Sequence, residues 1–252
     1  MSMPRVVGLI PARYGSTRLP GKPLKPIRGK PMIQRVYEQC AGCRMLDSVW
    51  VVTDDARIVE AVEAFGGKAV MTRADHPSGT DRLAEAVKSI SADVIVNIQG
   101  DQPFIDPVMI EEAVRPVLED EAVELCTLMY PIARERDLAD PGVVKVVVDL
   151  KGNALYFSRS LIPYARNQTG QRVFEHVGTY VYRRETLLRI AQLPPTPLEQ
   201  TESLEQLRWL EHAYRIRVVE SQCADRDFAG FSVDTEEDLE RAEQMLLERG
   251  LE

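Results

Sequence analysis

Short apolar runs alternate with segments of helical periodicity along the first 120 residues of the chain. The apolar runs predict strands at residues 6–10, 48–53, 68–71 and 93–98. The periodic segments predict helices at residues 32–43, 56–65, 82–90 and 107–118. Because strands that alternate with helices form βαβ units, this order predicts a mainly parallel sheet flanked by helices. The strands are nearly continuous apolar runs, which is typical of a sheet covered on both faces.

The pattern changes after about residue 120, where strand-like runs follow one another without long helices between them. These runs cover residues 123–129, 143–149, 154–157 and 176–182. The sequence Lys-Gly-Asn at residues 151–153 separates two of them and predicts a hairpin turn. We therefore predict an α/β fold in a single domain, residues 1–252, with a smaller antiparallel insertion at roughly residues 125–220.

Two helices are predicted towards the end of the chain. The sequence Thr-Pro-Leu-Glu at residues 196–199 combines a capping residue, a proline and a glutamate, which favours a helix that continues to about residue 214. A strand is predicted at residues 215–219. Asp234 and Thr235 then cap a final helix whose first turn is acidic.

Charge is distributed unevenly along the chain. The formal net charge is −8, yet residues 6–37 contain no acidic residue. The cations of that segment are Arg13, Arg18, Lys22, Lys25, Arg28, Lys30 and Arg35. An acidic protein repels long polyanions, whereas a local cationic segment attracts a small anion. We therefore expect a small anionic ligand and no nucleic-acid partner.

The sequence contains no pattern of a membrane or export segment. No apolar run reaches the length of a membrane span, and the apolar run at residues 6–10 is too short for a signal peptide. We therefore expect a cytoplasmic protein without a membrane partner.

A cationic loop with two glycines, residues 13–22, follows the first predicted strand. In open α/β sheets ligands bind beyond the carboxyl ends of the strands, and glycines let the backbone approach a phosphate. Arg13, Arg18 and Lys22 would offset the phosphate charge. The loop is not a P-loop, because five residues rather than four separate its glycines and Pro23 follows Lys22 where a P-loop has serine or threonine. We predict that this cationic loop binds phosphate.

Several polar residues elsewhere have both a chemical and a plain structural interpretation. Asp101 follows an apolar strand, where a carboxylate can bind Mg²⁺ or cap a turn. Ser78 and Thr80 could read a nucleotide base together with Arg82, although an N-cap is the better interpretation of the hydroxyls. Asp234 is either the cap of the last helix or a second metal ligand.

The second half of the chain holds further candidates. Arg159 ends a predicted strand and suits a carboxylate ligand. His176 and Tyr180 share one face of another strand, although a lone histidine is more often structural. Glu205 and Gln206 lie off the apolar stripe of their predicted helix, so we expect both side chains to face solvent.

Taken together, these motifs resemble the 3-deoxy-manno-octulosonate (Kdo) cytidylyltransferase family, also called the CMP-Kdo synthetases. The matching segments, which cover nearly the whole chain in order, are IPARYGSTRLPGKPL, VVTDD, MTRADHPSGTDRLAEAV, VNIQGDQPFI, VKVVVD, ALYFSRSLIPY, HVGTYVYRRETL, ESLEQLR and VDTEEDLE. The resemblance implies a Rossmann-like nucleotidyltransferase sheet. It also implies that the anomeric hydroxyl of Kdo attacks the α-phosphate of CTP, giving CMP-Kdo and pyrophosphate, with Mg²⁺ as cofactor.

The resemblance implies a role for each candidate residue. The catalytic residues would be Arg13, Arg18, Lys22 and Asp101. The nucleotide-binding residues would be Ala12, Arg13, Lys22, Ser78, Thr80 and Arg82. The sugar-binding residues would be Gln99, Arg159, His176, Tyr180, Glu205 and Gln206. The Mg²⁺ ligands would be Asp101 and Asp234. Within the sugar set, Arg159 would face the Kdo carboxylate.

The family is usually dimeric, so the resemblance implies a homodimer in which the insertion supplies much of the interface. It also implies a role in lipopolysaccharide or capsule biosynthesis. Other nucleophiles stay open, namely a related acid sugar such as 8-amino-Kdo or a sialic acid, or else a sugar 1-phosphate.

Two other classes of protein fit the sequence less well. Glycosyltransferases commonly carry Asp-x-Asp, whereas Gln99-Gly100-Asp101 has one acid at that place. A non-catalytic nucleotide sensor would not need both Asp101 and Asp234.

Overall fold

A computed structural model describes residues 4–15, 18–167, 170 and 172–251 of the chain. The chain divides into two compact units. The first comprises Met1–Glu111 and Cys223–Glu252, and the second comprises Glu112–Gln222. The second unit contains the predicted insertion, whose roles in sugar binding and dimerisation stay predictions, as does the single-domain organisation.

The first unit is built on a parallel sheet. Its strands are β1 (Val6–Ala12), β2 (Pro26–Ile27), β3 (Lys30–Pro31), β4 (Ser48–Thr53), β5 (Ala69–Met71) and β6 (Val94–Asn97). Its first four helices are α1 (Met32–Ala41), α2 (Ala56–Ala64), α3 (Gly79–Ala86) and α4 (Pro107–Glu119). The boundary between the two units falls within α4, after Glu111. The order β6-β1-β4-β5 is parallel throughout, while β2 and β3 form a small antiparallel pair. Nearly every residue of β1 and β6 is buried, as the continuous apolar runs predict.

The second unit is built mainly on antiparallel strands. These are β7 (Leu125–Pro131), β8 (Lys145–Val148), β9 (Ala154–Ser158), β10 (Phe174–Arg183) and β11 (Arg217–Glu220). Its helices are α5 (Glu135–Ala139), α6 (Arg184–Ile190), α7 (Pro197–Glu202) and α8 (Glu205–Glu211). The antiparallel pairs are β7 with β10, β10 with β8 and β8 with β9, whereas β11 runs parallel to β7. The predicted hairpin turn joins β8 to β9 and has Gly152 at φ 77°, a conformation that favours glycine.

Two further helices return the chain to the first unit, α9 (Arg226–Ala229) and α10 (Glu236–Glu248). The cap of α10 is Thr235, whose hydroxyl accepts a hydrogen bond from the backbone N–H of Asp238. The apolar face of α10 packs in a cluster with Leu19, Met32 and Val233. Capping by Asp234, one of its two predicted roles, is therefore wrong, and its carboxylate is available for other contacts.

The mixed α/β fold with its mainly parallel sheet is confirmed, and most elements lie close to their predicted bounds. The prediction of one long helix near the end of the second unit is wrong. The segment predicted as continuous from residue 196 to about residue 214 forms α7 and α8, because Ser203 adopts a left-handed conformation (φ 52°) that ends α7. The short helices α5, α6 and α9 escaped prediction, since four to seven residues give too little periodicity.

None of the helices in the described residues is both long enough and apolar enough to cross a membrane.

Candidate functional site

The cationic loop begins where β1 ends, and its residues 16 and 17 lie outside the described part of the chain. The loop is closed by a hydrogen bond of 2.9 Å from the backbone N–H of Gly21 to the carbonyl of Tyr14. Gly21 has φ 70°, and a Cβ there would approach the Tyr14 ring to 3.1 Å. Glycine at position 21 therefore permits the closure that brings Lys22 to the end of the loop.

Lys22 is the centre of a cluster of ionic contacts in the first unit. Its Nζ lies 3.0 Å from Asp101 Oδ2, 3.1 Å from Asp234 Oδ1 and 2.9 Å from the carbonyl oxygen of Val233. Arg18 donates to the same Asp234 oxygen at 3.0 Å. Two predicted catalytic cations and both predicted metal carboxylates thus meet at one place.

Asp101 reaches this place because the loop after β6 passes closely over the end of β1. A Cβ on Gly100 would lie 2.8 Å from the carbonyl oxygen of Pro11, so a larger residue would force the two segments apart. The backbone N–H of Val233 donates to the carbonyl of Asp101 at 2.9 Å, which joins this loop to the segment before α10. Gln99 lies half-buried in the same loop.

The donor set around Lys22 Nζ fits a hard divalent cation. Asp101, Asp234 and the Val233 carbonyl all offer oxygen, the ligand type that Mg²⁺ prefers, and they already converge on a cation. The described residues contain no group of three or more His, Cys, Asp or Glu side chains placed to hold a metal. Mg²⁺ commonly takes one or two carboxylates from the protein and completes its coordination with phosphate and water.

The segment before α3 is fixed by a cap. Ser78 caps α3, accepting from the Asp81 backbone N–H at 3.2 Å and donating to the Asp81 carboxylate at 2.7 Å. The N-cap interpretation of Ser78 is confirmed, and it explains why α3 begins three residues before the predicted start. Thr80 is buried within the first turn. Nucleotide binding by Ser78 and Thr80 stays a prediction.

Arg82 is completely buried and holds two segments together. Its guanidinium donates to Thr72 Oγ1 at 2.8 Å and to Asp54 Oδ2 at 3.1 Å. These bonds join the segment before α3 to the end of β4. The described hydrogen bonds of Arg82 are to protein side chains, and its contact with nucleotide stays a prediction.

A bond from the cationic loop reaches the same segment. Arg13 follows the buried Ala12 in the chain, and its guanidinium donates to the carbonyl oxygen of His76 at 2.8 Å. The His76 ring is in turn hydrogen-bonded to Glu85 on α3. Burial would raise the pKa of Glu85, but hydrogen bonds from His76 and from the Arg73 backbone bring it below its usual value. Glu85 is therefore a carboxylate at neutral pH and fixes His76.

In the second unit, His176 and Tyr180 form an aromatic cluster on β10. Their ring centroids lie 5.3 Å apart, and Phe157 and Trp209 contact the pair edge-on. A bulge between Val177 and Tyr180 shifts the register against β7. The two rings therefore lie together, as their shared strand face predicts.

Both ionisable groups of this cluster are neutral at physiological pH. His176 is half-buried as a residue, and burial of its imidazole within the protein lowers its pKa to about 3. Its Nε2 lies 3.1 Å from the hydroxyl of Thr127. Burial raises the pKa of Tyr180, so the phenol keeps its proton. The two side chains can therefore donate and accept hydrogen bonds but carry no charge.

Arg159, also in the second unit, is held by backbone carbonyls. Its guanidinium donates to Glu202 at 2.7 Å, to Pro141 at 2.8 Å and to Ser203 at 3.4 Å. Within the described residues no carboxylate lies in ion-pair distance of the Arg159 guanidinium. The guanidinium is thus fixed in direction by neutral carbonyl acceptors. Its contact with a sugar carboxylate stays a prediction.

Gln206 and Glu205 begin α8, just after the break at Ser203. Gln206 is only 6% exposed, and Glu205 is half-buried. The expectation that both side chains face solvent is therefore wrong for Gln206, whereas Glu205 keeps part of its surface exposed. That expectation assumed one continuous helix, and the break resets the helical phase so that Gln206 and Leu207 both turn inward.

A family model described as Cytidylyltransferase matches residues 7–246 of the chain. The chain belongs to the cytidylyltransferase family. A relative named 3-deoxy-manno-octulosonate cytidylyltransferase, from Syntrophotalea carbinolica, is 51% identical over 98% of this chain and 99% of its own length. A relative of the same name from Geobacter sulfurreducens is 49% identical over 96% of this chain and 99% of its own.

One solved structure agrees with this family assignment, and a second shares the fold. A CMP:2-keto-3-deoxy-manno-octonic acid synthetase complexed with CTP superposes with a TM-score of 0.91 at 47% identity, covering 97% of this chain and 99% of the other. A 4-diphosphocytidyl-2C-methyl-D-erythritol synthase from Anaerococcus prevotii covers 98% of this chain with a TM-score of 0.64. At 11% identity it shows a shared fold alone.

Two residues of the cytidylyltransferase that contact Arg159, Lys145 and Glu202, were not predicted from the sequence. Lys145 is fully buried on β8, and Glu202 ends α7 beside the left-handed residue. Burial lowers the pKa of Lys145, and this is opposed chiefly by the carboxylate of Asp140. A signal for Lys145 was present, since it is a single lysine within a run of valines. Glu202 had no comparable signal.

Proposed function

We propose that this cytidylyltransferase transfers CMP from CTP to the anomeric hydroxyl of Kdo, with release of pyrophosphate. The observation that carries the proposal is the meeting of Lys22 with Asp101 and Asp234 beyond the end of β1. This arrangement places cations and metal-type carboxylates where an α/β sheet binds its ligand. Relatives that share about half of the residues, each named a Kdo cytidylyltransferase, support the choice of substrates.

The chemistry needs positioning and charge neutralisation more than a covalent partner. Displacement at phosphorus spreads negative charge over the phosphate oxygens, which fixed cations stabilise. Arg13, Arg18 and Lys22 would bind the triphosphate and the departing pyrophosphate. The hydroxyl of the sugar is the nucleophile, so no serine or cysteine nucleophile is needed.

We propose Mg²⁺ as the cofactor, held by the carboxylates of Asp101 and Asp234. The all-oxygen surroundings of Lys22 Nζ support this assignment. When bound, Mg²⁺ supplies Lewis-acid neutralisation of the phosphate charge and lowers the pKa of a coordinated hydroxyl. The carboxylates themselves would keep their present directions, because the Val233–Asp101 backbone bond and the Thr235 cap fix their segments.

For the sugar we propose contacts in the second unit. Arg159 would meet the carboxylate of Kdo, because its guanidinium is fixed by carbonyls and no described carboxylate neutralises it. His176 and Tyr180 would bond sugar hydroxyls as neutral groups. Gln99, Glu205 and Gln206 complete the set that the family resemblance implies, and all three are at least half-buried.

We further propose a homodimer in the cytoplasm that serves lipopolysaccharide or capsule biosynthesis. Support for the dimer comes from large apolar side chains that the second unit leaves exposed. They are Leu150, Leu155, Leu161, Tyr164 and Leu198. Large apolar side chains that are exposed in a single copy are stabilised when a second copy covers them.

A pyrophosphate-release screen tests the proposed reaction. The purified protein is mixed with Mg²⁺, one of the four nucleoside triphosphates, and Kdo, 8-amino-Kdo, a sialic acid or a sugar 1-phosphate. We expect release with CTP and Kdo, and CMP-Kdo in the product by mass spectrometry. Reactions without sugar or without metal are the controls. Absence of release with CTP and every 2-keto acid sugar would disprove the proposal.

A further inference from the structure

Lys145 is a lysine buried in the middle of an apolar strand. Its side chain is fully shielded from solvent, and its neighbours along β8 are valines. Its Nζ donates to the carbonyl oxygen of Asp140 at 2.6 Å and to that of Arg159 at 3.1 Å. Burying an ammonium group is unfavourable unless it is hydrogen-bonded, so a valine or methionine would suit packing alone better. The lysine therefore calls for a reason beyond packing.

The reason lies in what Lys145 holds. Arg159, whose carbonyl it binds, follows the last residue of β9. The carboxylate of Glu202 holds Arg159 from the other side, accepting from its backbone N–H at 2.9 Å and from the Ser158 hydroxyl at 2.7 Å. The backbone of Arg159 is thus fixed at both its N–H and its carbonyl group by buried or half-buried charged side chains.

The same segments also fix the Arg159 guanidinium. Lys145 binds Asp140, whose neighbour Pro141 accepts from Arg159 Nη1. Glu202 contributes its own carbonyl to Arg159 Nε. One set of contacts consequently holds both the backbone and the guanidinium of Arg159. We call this set the Arg159 clamp. It consists of Lys145, Glu202 and the carbonyls of residues 140, 141 and 203.

We propose that Lys145 is a positioning residue for the acid sugar, acting through Arg159 within this clamp. The proposal rests on the proposed function, in which Arg159 meets the sugar carboxylate. A long arginine side chain loses conformational freedom when it binds a ligand. The clamp removes that freedom during folding, so the guanidinium is already directed when the sugar arrives.

Steady-state kinetics test the proposal with Lys145→Met, which keeps the length of the side chain but loses the ammonium group. We expect the apparent KM for Kdo to rise about tenfold or more, with kcat and the KM for CTP within about twofold of the unchanged protein. Lys151→Met, at the exposed turn between β8 and β9, is the matched control and should change nothing. A parallel change in both KM values and kcat would indicate a merely structural role and overturn the proposal.

A double variant separates positioning from direct contact. If Lys145 acts through Arg159, adding Lys145→Met to Arg159→Ala should not raise the KM for Kdo beyond that of Arg159→Ala alone. Additive effects would place Lys145 on the sugar itself and contradict the clamp. Glu202→Gln provides a second route if Lys145→Met folds poorly, and it should show the same selective rise.

A readout without turnover keeps this test separate from that of the proposed function. The Nε–H group of Arg159 gives a ¹⁵N NMR signal that is assigned by its loss in Arg159→Ala. In the unchanged protein its proton should exchange slowly with water. In Lys145→Met we expect faster exchange, whereas Lys145→Arg should restore part of the protection. An unchanged signal in Lys145→Met overturns the clamp even if CMP-Kdo is formed. Changed exchange without any CMP-Kdo formation leaves the clamp standing and removes the sugar assignment.

Discussion

Lys22 is the residue through which the cationic loop and the carboxylates act on each other. Its ammonium group donates to both side chains that we propose as Mg²⁺ ligands. An ammonium group and a divalent cation compete for the same oxygen lone pairs and repel each other at short distance. We therefore expect the metal to bind well only when a triphosphate offers Lys22 a different anionic partner.

The variant Lys22→Met tests this competition. Without the ammonium group, Asp101 and Asp234 are left without their shared cation, so affinity for a divalent cation should rise. We expect Mn²⁺, followed by its EPR signal in the absence of nucleotide, to bind about tenfold more tightly than to the unchanged protein. Turnover should nevertheless fall, because the triphosphate has lost a cation.

Asp101→Asn is the matched control for that experiment. It removes one carboxylate charge at nearly constant size, so Mn²⁺ binding should weaken and turnover should drop about a hundredfold or more while the fold survives. Equal Mn²⁺ affinity in Lys22→Met and in the unchanged protein would show that Lys22 does not compete with the metal. Near-normal turnover in Asp101→Asn would remove Asp101 from the metal site.

His176 predicts a dependence of stability on pH. Burial lowers its pKa from 6.5 to about 3 in the folded protein. Between these values the unfolded chain binds a proton that the folded protein does not, so this contribution to stability is complete above pH 6.5 and is lost as the pH falls towards 3. For each unit by which the pH falls in this range, protonation of His176 in the unfolded chain should therefore lower the free energy of unfolding by up to about 1.4 kcal/mol.

Urea unfolding of the unchanged protein and of His176→Gln between pH 7.5 and pH 5 measures the effect. Glutamine can still bond the Thr127 hydroxyl but does not titrate, so the difference in unfolding free energy between the two proteins should change with pH in the direction given above. A difference that is constant over this range would contradict a neutral, buried His176.

At the scale of elements, the periodicity of the sequence was enough to locate the main strands and helices. Periodicity is a local property, and the bounds of β4 agree with the prediction residue for residue. The break between α7 and α8 could not be predicted, because the left-handed conformation of Ser203 depends on surrounding contacts rather than on local pattern. The inward direction of Gln206 follows from that break, so it could not be predicted either.

The candidate site shows the same limit. The residue types and their order indicated a phosphate loop and carboxylates after strands, but not which atoms meet. Asp234 and Thr235 are equally good capping residues in the sequence, and packing decides that Thr235 caps while Asp234 meets Lys22. Lys145 is visible as a charge among valines, whereas its acceptors at Asp140 and Arg159 are set by the fold.

The cap of α10 gives a prediction at this scale. Asp238 accepts hydrogen bonds from the backbone N–H groups of Asp234 and Thr235, and Thr235 caps the helix in return. Thr235→Ala should lower the free energy of unfolding by about 1 kcal/mol, as measured by urea denaturation. It should also loosen Asp234, so Mn²⁺ binding in the presence of CTP should weaken. Thr201→Ala, at an exposed residue of α7, is the control. Loss of stability with unchanged metal affinity would show that the cap does not position Asp234.

At the scale of the whole molecule, the two units carry different parts of the proposed chemistry. The cationic loop and the carboxylates belong to the first unit, and Arg159 with the aromatic cluster belongs to the second. The second unit also exposes apolar side chains on and after its hairpin, among them Leu155 and Tyr164. A surface that leaves such groups in water is stabilised when a second copy covers it.

The assembly is therefore predicted to depend on β9. Leu155 is 62% exposed on that strand, and Leu155→Glu would place a charge in the proposed interface. We expect sedimentation velocity to show a dimer for the unchanged protein and a monomer, or at least about a tenfold weaker dimer, for the variant. Leu247→Glu is the matched control, because Leu247 is comparably exposed, at 56%, but lies on α10 in the first unit. If both variants remain dimeric, the interface lies elsewhere, and if the unchanged protein is monomeric, the proposed dimer is wrong.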